Sequence, residues 1–231
     1  MCFSAEASLA ASAILIPLGA YGVRVAGMKD RTYIPLAATP LLFGIQQLCE
    51  AGVWIVLGKD RFSPVKSLAL TYLFFAIAFW PFWVPFTAAV IEVRRSRRWL
   101  FRGLAVVGLI LGSVCYLPSV LNYDQWLTVH IVDHSIEYDF SRMPDSQMGR
   151  TLIWQALYLT SVTCPFLMSV DRRLRFLGLS IAITAAVTQV HFRYAFISVW
   201  CFFAAWLSLH INYVLYRLPD RSPRLDDVST D

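Results

Sequence analysis

Seven apolar stretches, each about 17 to 25 residues long, follow one another along the chain: about 8–27, 33–57, 67–91, 103–121, 151–170, 174–190 and 194–216. The hydrocarbon core of a bilayer is crossed by about 20 residues of helix. It also offers the backbone no water, so apolar runs of this length that do not alternate in polarity are helices rather than lone strands. The pattern predicts an all-α, seven-transmembrane-helix bundle. Its least marked division is Val190-His191-Phe192-Arg193. A single helix over 174–216 would reach about 64 Å, twice the hydrocarbon thickness, so the chain is expected to reverse at His191 to Arg193.

The polar positions between the stretches set the orientation. With the N-terminus outside, the inner connections carry Arg24, Lys29 and Arg31, the arginines of 94–102, those of 172–175, and Arg217, Arg221 and Arg224, 14 basic residues in all. The outer side then carries six: Lys59, Arg61, Lys66, Arg142, Arg150 and Arg193. Such a bias over short loops predicts an N-terminus outside and a C-terminus in the cytoplasm. Met1 to Ala13 holds no Lys or Arg, so the first stretch reads as a retained span rather than a cleaved leader. Residues 1–218 are expected to form one transmembrane domain with a single long outer loop, 122–150. Residues 219–231 are expected to be a disordered cytoplasmic tail.

Composition narrows the class further. The chain is 58% apolar and 15% charged, with a mean hydropathy of +0.57. These values exclude a soluble enzyme, a disordered segment and a secreted disulfide scaffold. The net charge of +5 would suggest nucleic acid in a soluble protein; here it sets topology, and the expected partner is the lipid bilayer, with no nucleic acid. The Arg94 to Arg98 cluster reads as an anchor at the inner surface, with anionic headgroups as the alternative contact. Of five cysteines, Cys2 and Cys49 are near enough in depth for a bridge, although buried free thiols fit the pattern better. No phosphate loop, dinucleotide motif, zinc-protease signature or CxxC pair occurs.

Within the spans the most informative group is Gln46-Gln47-Leu48-Cys49-Glu50. Gln46 and Glu50 are one helical turn apart, Gln47 and Glu50 three residues apart, so both amides and the carboxyl share a face. That face must turn away from lipid. Glu50 lies about 10 Å below the outer end of its span, where a carboxylate is costly unless paired or hydrated. Two readings follow: a ligand, proton or metal site open to the outside, built on Gln46, Gln47 and Glu50, or an interhelical hydrogen-bonded clasp.

The outer loop supplies a second group. From Ser135 to Phe140 polar and apolar residues alternate, which predicts a strand and one arm of a β-hairpin. His130 and His134 fall on one side of the segment, and His191 lies at the outer turn between the last two spans. Together they form a candidate metal set for Zn²⁺ or another transition metal, with Asp133, Glu137 or Asp139 as oxygen partners. Solvated histidines are the alternative. In the third span, Pro81 and Pro85 each remove a helix hydrogen bond, so a kink near its middle is expected, with carbonyls freed toward a cavity or toward packing.

Three segments carry a family resemblance: Met1-Cys2-Phe3-Ser4-Ala5, the run from Pro40 to Gln47 leading to Glu50 and Trp54, and Ser198 to Ala205. They resemble a group of uncharacterised bacterial multi-pass membrane proteins of about this length. The sequence departs from it at Cys49-Glu50-Ala51-Gly52, where the group places Gly directly after Glu. The resemblance implies a polytopic protein of the bacterial inner (plasma) membrane and carries no activity with it.

Three functional classes remain. An outward-facing binding or sensing module would use Gln46, Gln47, Glu50 and the His-bearing loop to hold a small ligand or metal ion. A membrane-embedded metal hydrolase would need a metal-bound water and a base such as Glu50 or Asp133. A transporter would need a continuous polar path, which the inner halves of the spans do not supply. The binding module is the expected function.

Overall fold

Ser4 opens the first helix, its hydroxyl accepting from the Ala7 N–H at 3.3 Å, as N-cap serines do. The computed structural model describes residues 4–58, 65–142 and 152–218. Helix α1 (Ala5–Lys29) turns through Arg31–Tyr33 into α2 (Ile34–Leu57). The two pack antiparallel at very short range. A Cβ placed on Gly19 would lie 2.3 Å from the Leu41 backbone nitrogen, so only glycine lets these backbones meet, a device that membrane helices share.

The third rod is α3 (Val65–Leu73), a wide π turn (Phe74–Phe79) and α4 (Trp80–Ile91). Pro81 explains the π turn. It has no N–H to give, and its ring crowds the carbonyl four residues back. The ladder therefore slips by one residue, and the Trp80 N–H reaches the Phe75 carbonyl. The expected kink is thus resolved one turn earlier, as a π segment, while Pro85 stays inside α4. Two tyrosines donate to carbonyls of this rod: Tyr158 to Ala76 O in the π turn and Tyr116 to Leu70 O in α3 at 3.0 Å.

Helix α5 spans Arg95–Leu121 and begins earlier than the apolar pattern, which starts near 103. Arg95, Arg97, Arg98 and Arg102 therefore sit on helix rather than loop, because arginine is a good helix former and the ladder continues past the apolar limit. Arg97 donates to Met168 O at 2.7 Å, which places a cation on the carbonyl end of the next long helix.

A short α6 (Tyr123–Trp126) leads into β1 (Thr128–Val132) and β2 (Ser135–Asp139), an antiparallel pair in which His130 faces Glu137. The hairpin expected in the loop 122–150 is present. Its two-residue turn, Asp133-His134, has φ of 45° and 58°, the sense that matches the twist of paired strands. Helix α7 (Leu152–Leu167), α8 (Arg172–His191), α9 (Phe196–Ser208) and α10 (His210–Tyr216) complete the described chain. The reversal between α8 and α9 falls at Phe192 and the turn Arg193–Ala195.

Six of these segments, Ala5–Lys29, Arg31–Leu57, Val65–Ile91, Arg95–Leu121, Arg172–His191 and Arg193–Tyr216, are long and apolar enough to cross a membrane. They point to a multi-pass membrane protein. The sequence pattern counts seven; the remaining rod, α7, has 16 residues in its described extent. Exposed apolar side chains such as Val106, Leu109 and Ile110 on α5 and Phe176, Leu179 and Ile183 on α8 suit contact with lipid.

The end of the bundle that carries Lys29, Arg97 and Arg173 is laced by side chains onto helix ends: Lys29 Nζ donates to the Tyr216 and Leu218 carbonyls at 3.0 Å, and His210 Nε2 lies 3.2 Å from Arg173 O. At the opposite end Ile136, Tyr138 and Phe140 of the hairpin are buried and roof the bundle. Cys49, Cys115, Cys164 and Cys201 are free thiols. Cys2, the loop residues 143–151 and the proposed tail 219–231 lie outside the described residues.

Candidate functional site

Glu50 stands seven residues from the end of α2, 2% exposed, with Gln46 and Gln47 fully buried beside it. The shared face read from the sequence is therefore an inward face. Ser198, near the start of α9, donates its hydroxyl to Glu50 Oε1 at 2.5 Å. Trp80, at the head of α4, donates its indole N–H to Gln46 Oε1 at 2.7 Å, and the indole is held by Phe43 stacked at 3.9 Å. With its oxygen engaged, Gln46 keeps an amide nitrogen that lies beside Cys201 but makes no regular hydrogen bond.

The hairpin enters the same group. Tyr138 stacks on Tyr72 of α3 at 5.1 Å with an interplanar angle of 8°, and Tyr72 donates to Ile197 O at 3.3 Å. Tyr72, Tyr138 and Cys201 all lie near enough to Glu50 to sense its charge. Burial holds the Tyr138 phenol well above its ordinary pKa, and the nearby Glu50 and Cys201 add to the rise. The phenol therefore stays a proton donor, yet its hydroxyl has no partner.

Four buried polar atoms of this cluster meet no partner in regular hydrogen-bond geometry: Gln46 Nε2, both ends of the Gln47 amide, and the Tyr138 hydroxyl; the Gln47 amide lies beside Glu50 and the Gln46 amide beside Cys201 in looser contacts. Each such atom costs about 1–3 kcal/mol if it stays unpaired. Their concentration around one carboxyl is chemically specific: amide donors, an amide acceptor and a phenol can together bind a polar group that presents both donors and acceptors.

Tyr138 and Cys201 also form part of the wall of a cavity of 620 Å³ beneath the hairpin, between the π turn, α5, α7, α8 and α9. Gln46, Gln47 and Glu50 do not line that cavity; they lie behind the Tyr138 and Cys201 wall. Sequence reasoning missed Tyr72, Tyr138, Ser198 and Cys201. The available signal was depth, since Tyr72 lies seven residues inside its helix start and Ser198 two inside its own, close to the level at which a buried carboxyl needs donors.

The histidines do not gather. His130 Nε2 lies 3.5 Å from Glu137 Oε2 across the hairpin, His134 occupies the exposed turn, and His191 ends α8. Among the described residues no group of three or more His, Cys, Asp or Glu side chains is placed to hold a metal ion. Nothing in that arrangement supports the metal reading.

The fold is that of a helical multi-pass membrane protein, with a buried carboxyl-amide cluster roofed by a β-hairpin. Within that class the chain belongs to the family of unknown function DUF6629, which matches residues 1–225. The resemblance to an uncharacterised family is thereby borne out. No curated protein and no solved structure matches the chain.

Proposed function

We propose that the protein is a binding or sensing module whose recognition element is the cluster of Gln46, Gln47 and Glu50, reached through the cavity and the Tyr138 and Cys201 wall. The observation that carries this reading is the set of four buried polar atoms around one carboxyl that find no regular hydrogen bond. A cluster kept only for stability would pair its groups, because each unpaired one lowers stability. Retaining them is the pattern of a site that trades stability for ligand contact. On this proposal residues 1–218 form one domain in the bacterial plasma membrane, α7 is the fifth of seven spans, and the hairpin faces outside, as the basic-residue bias favours.

Gln47→Leu tests the reading. It keeps the volume and removes two orphaned atoms, so a binding site predicts a gain of about 1–2 kcal/mol in the purified protein. A clasp whose amide supports the bundle predicts a loss of similar size, and that result would overturn the proposal.

A further inference from the structure

We infer that the 620 Å³ cavity beneath the hairpin holds a single-chain amphiphile with an anionic head, the head at the hairpin end and the chain running toward the bundle centre. The inference goes beyond the binding-module reading: it concerns a second surface, which meets the Gln46, Gln47 and Glu50 cluster only at Tyr138 and Cys201. Its basis is a gradient that recurs on each long helix lining the cavity. On α8 the lining runs from Gln189, near the hairpin end, to Ala186, Ala185 and Ala182. On α7 it runs from Gln155 to Tyr158 and Leu159, and on α5 from Ser119 to Cys115 and Leu111. Arg193, in the turn before α9, gives way to Phe196, Ile197 and Trp200.

The deep polar groups are already engaged. Tyr158 donates to Ala76 O, and Thr163 donates to Leu159 O at 2.6 Å. At that depth the cavity therefore offers an apolar surface. At the hairpin end, Arg193 is exposed and makes no ion pair among the described residues, and the Tyr138 hydroxyl, in a residue 7% exposed, is unpartnered. A cation, two amides and a free phenol at one end of an apolar chamber match a carboxylate or phosphate head on one hydrocarbon chain. The volume falls within the range of about 300–1,000 Å³ common to small-molecule sites.

A free fatty acid and a lysophospholipid share this chemistry, and competition separates them. The full-length protein in phosphatidylcholine nanodiscs is photolabelled with a diazirine analogue of palmitate, and the labelled peptides are mapped. The expected labels fall on α8 and α9, around Ala182–Ala186 and Phe196–Trp200. Palmitate or lysophosphatidylglycerol, whichever is the natural class, displaces the label at least tenfold better than hexadecanol, which has the chain without the charge. Arg193→Gln is expected to weaken capture about tenfold, and Ala186→Phe to abolish it by filling the chamber while Arg193 remains. Labels confined to the lipid-facing Val106, Leu109 and Ile110, equal displacement by hexadecanol, or unchanged capture in both variants would overturn the inference. Each of those outcomes leaves the sign of the Gln47→Leu stability change untouched, so failure of the ligand class is distinguishable from failure of the binding-module reading.

Discussion

Ser198 and Glu50, 148 residues apart in sequence, are joined by a hydrogen bond of 2.5 Å in the buried interior. The contact ties α9 to α2 at the level of the hairpin roof. Glu50→Gln keeps an acceptor for Ser198 and is expected to leave thermal stability in detergent nearly unchanged. Glu50→Leu removes the acceptor, strands the serine hydroxyl, and should cost about 1–2 kcal/mol. Equal stability of the two variants would mean that the hydrogen bond contributes nothing to the bundle.

What the sequence could and could not announce follows from the range of each interaction. Apolar runs report local burial in lipid, so the rods, the reversal near Arg193 and the strand at Ser135 to Phe140 were legible. The common face of Gln46, Gln47 and Glu50 was legible because helical period fixes it. Its partners were not, since Tyr72, Trp80, Tyr138 and Ser198 arrive from four other elements and no local spacing links them. Hydropathy also hid the start of α5, because arginines end an apolar run without ending a helix. The even spacing of His130 and His134 does not give them a shared strand face, because the Asp133-His134 turn carries His134 around the tip while His130 faces Glu137.

Tyr138 gives the cluster a dependence on alkaline pH. Its folded pKa lies above the unfolded value, so the folded state keeps the phenolic proton longer. The stability linked to that proton is whole below the unfolded pKa, about 10, and is lost as pH rises toward the folded value. Tyr138→Phe should therefore flatten the fall of melting temperature above about pH 10. An identical alkaline slope in wild type and variant would show that the phenol does not contribute to the fall.

Close helix approach concentrates at Gly108, where an added Cβ would lie 1.9 Å from the Pro81 carbonyl oxygen. Gly108→Ala must push α5 from α4 and should cost about 1–3 kcal/mol. Gly103, on the same helix with nothing within 4 Å of an added Cβ, is the control. Gly103→Ala should be neutral or stabilising by up to about 1 kcal/mol. Thermal unfolding of the two variants side by side checks both signs.

His134 holds a φ of 58° in the hairpin turn, a conformation that glycine adopts without penalty. His134→Gly is expected to raise the melting temperature slightly, by the equivalent of about 0.5–1 kcal/mol. Added Zn²⁺ gives the same pair of proteins a second readout. A zinc-dependent rise in wild type that vanishes in His134→Gly would restore that residue to a ligand role.

An outward-facing binding module requires the hairpin and its roofed cluster to face the outside of the cell. Thiol-accessibility labelling in intact cells, on a background without native cysteines, addresses this with His134→Cys in the exposed turn and Ser96→Cys at the exposed start of α5. The account predicts that an impermeant reagent labels position 134 in intact cells and position 96 only after the membrane is opened. Labelling of position 96 in intact cells, with position 134 protected, would contradict it.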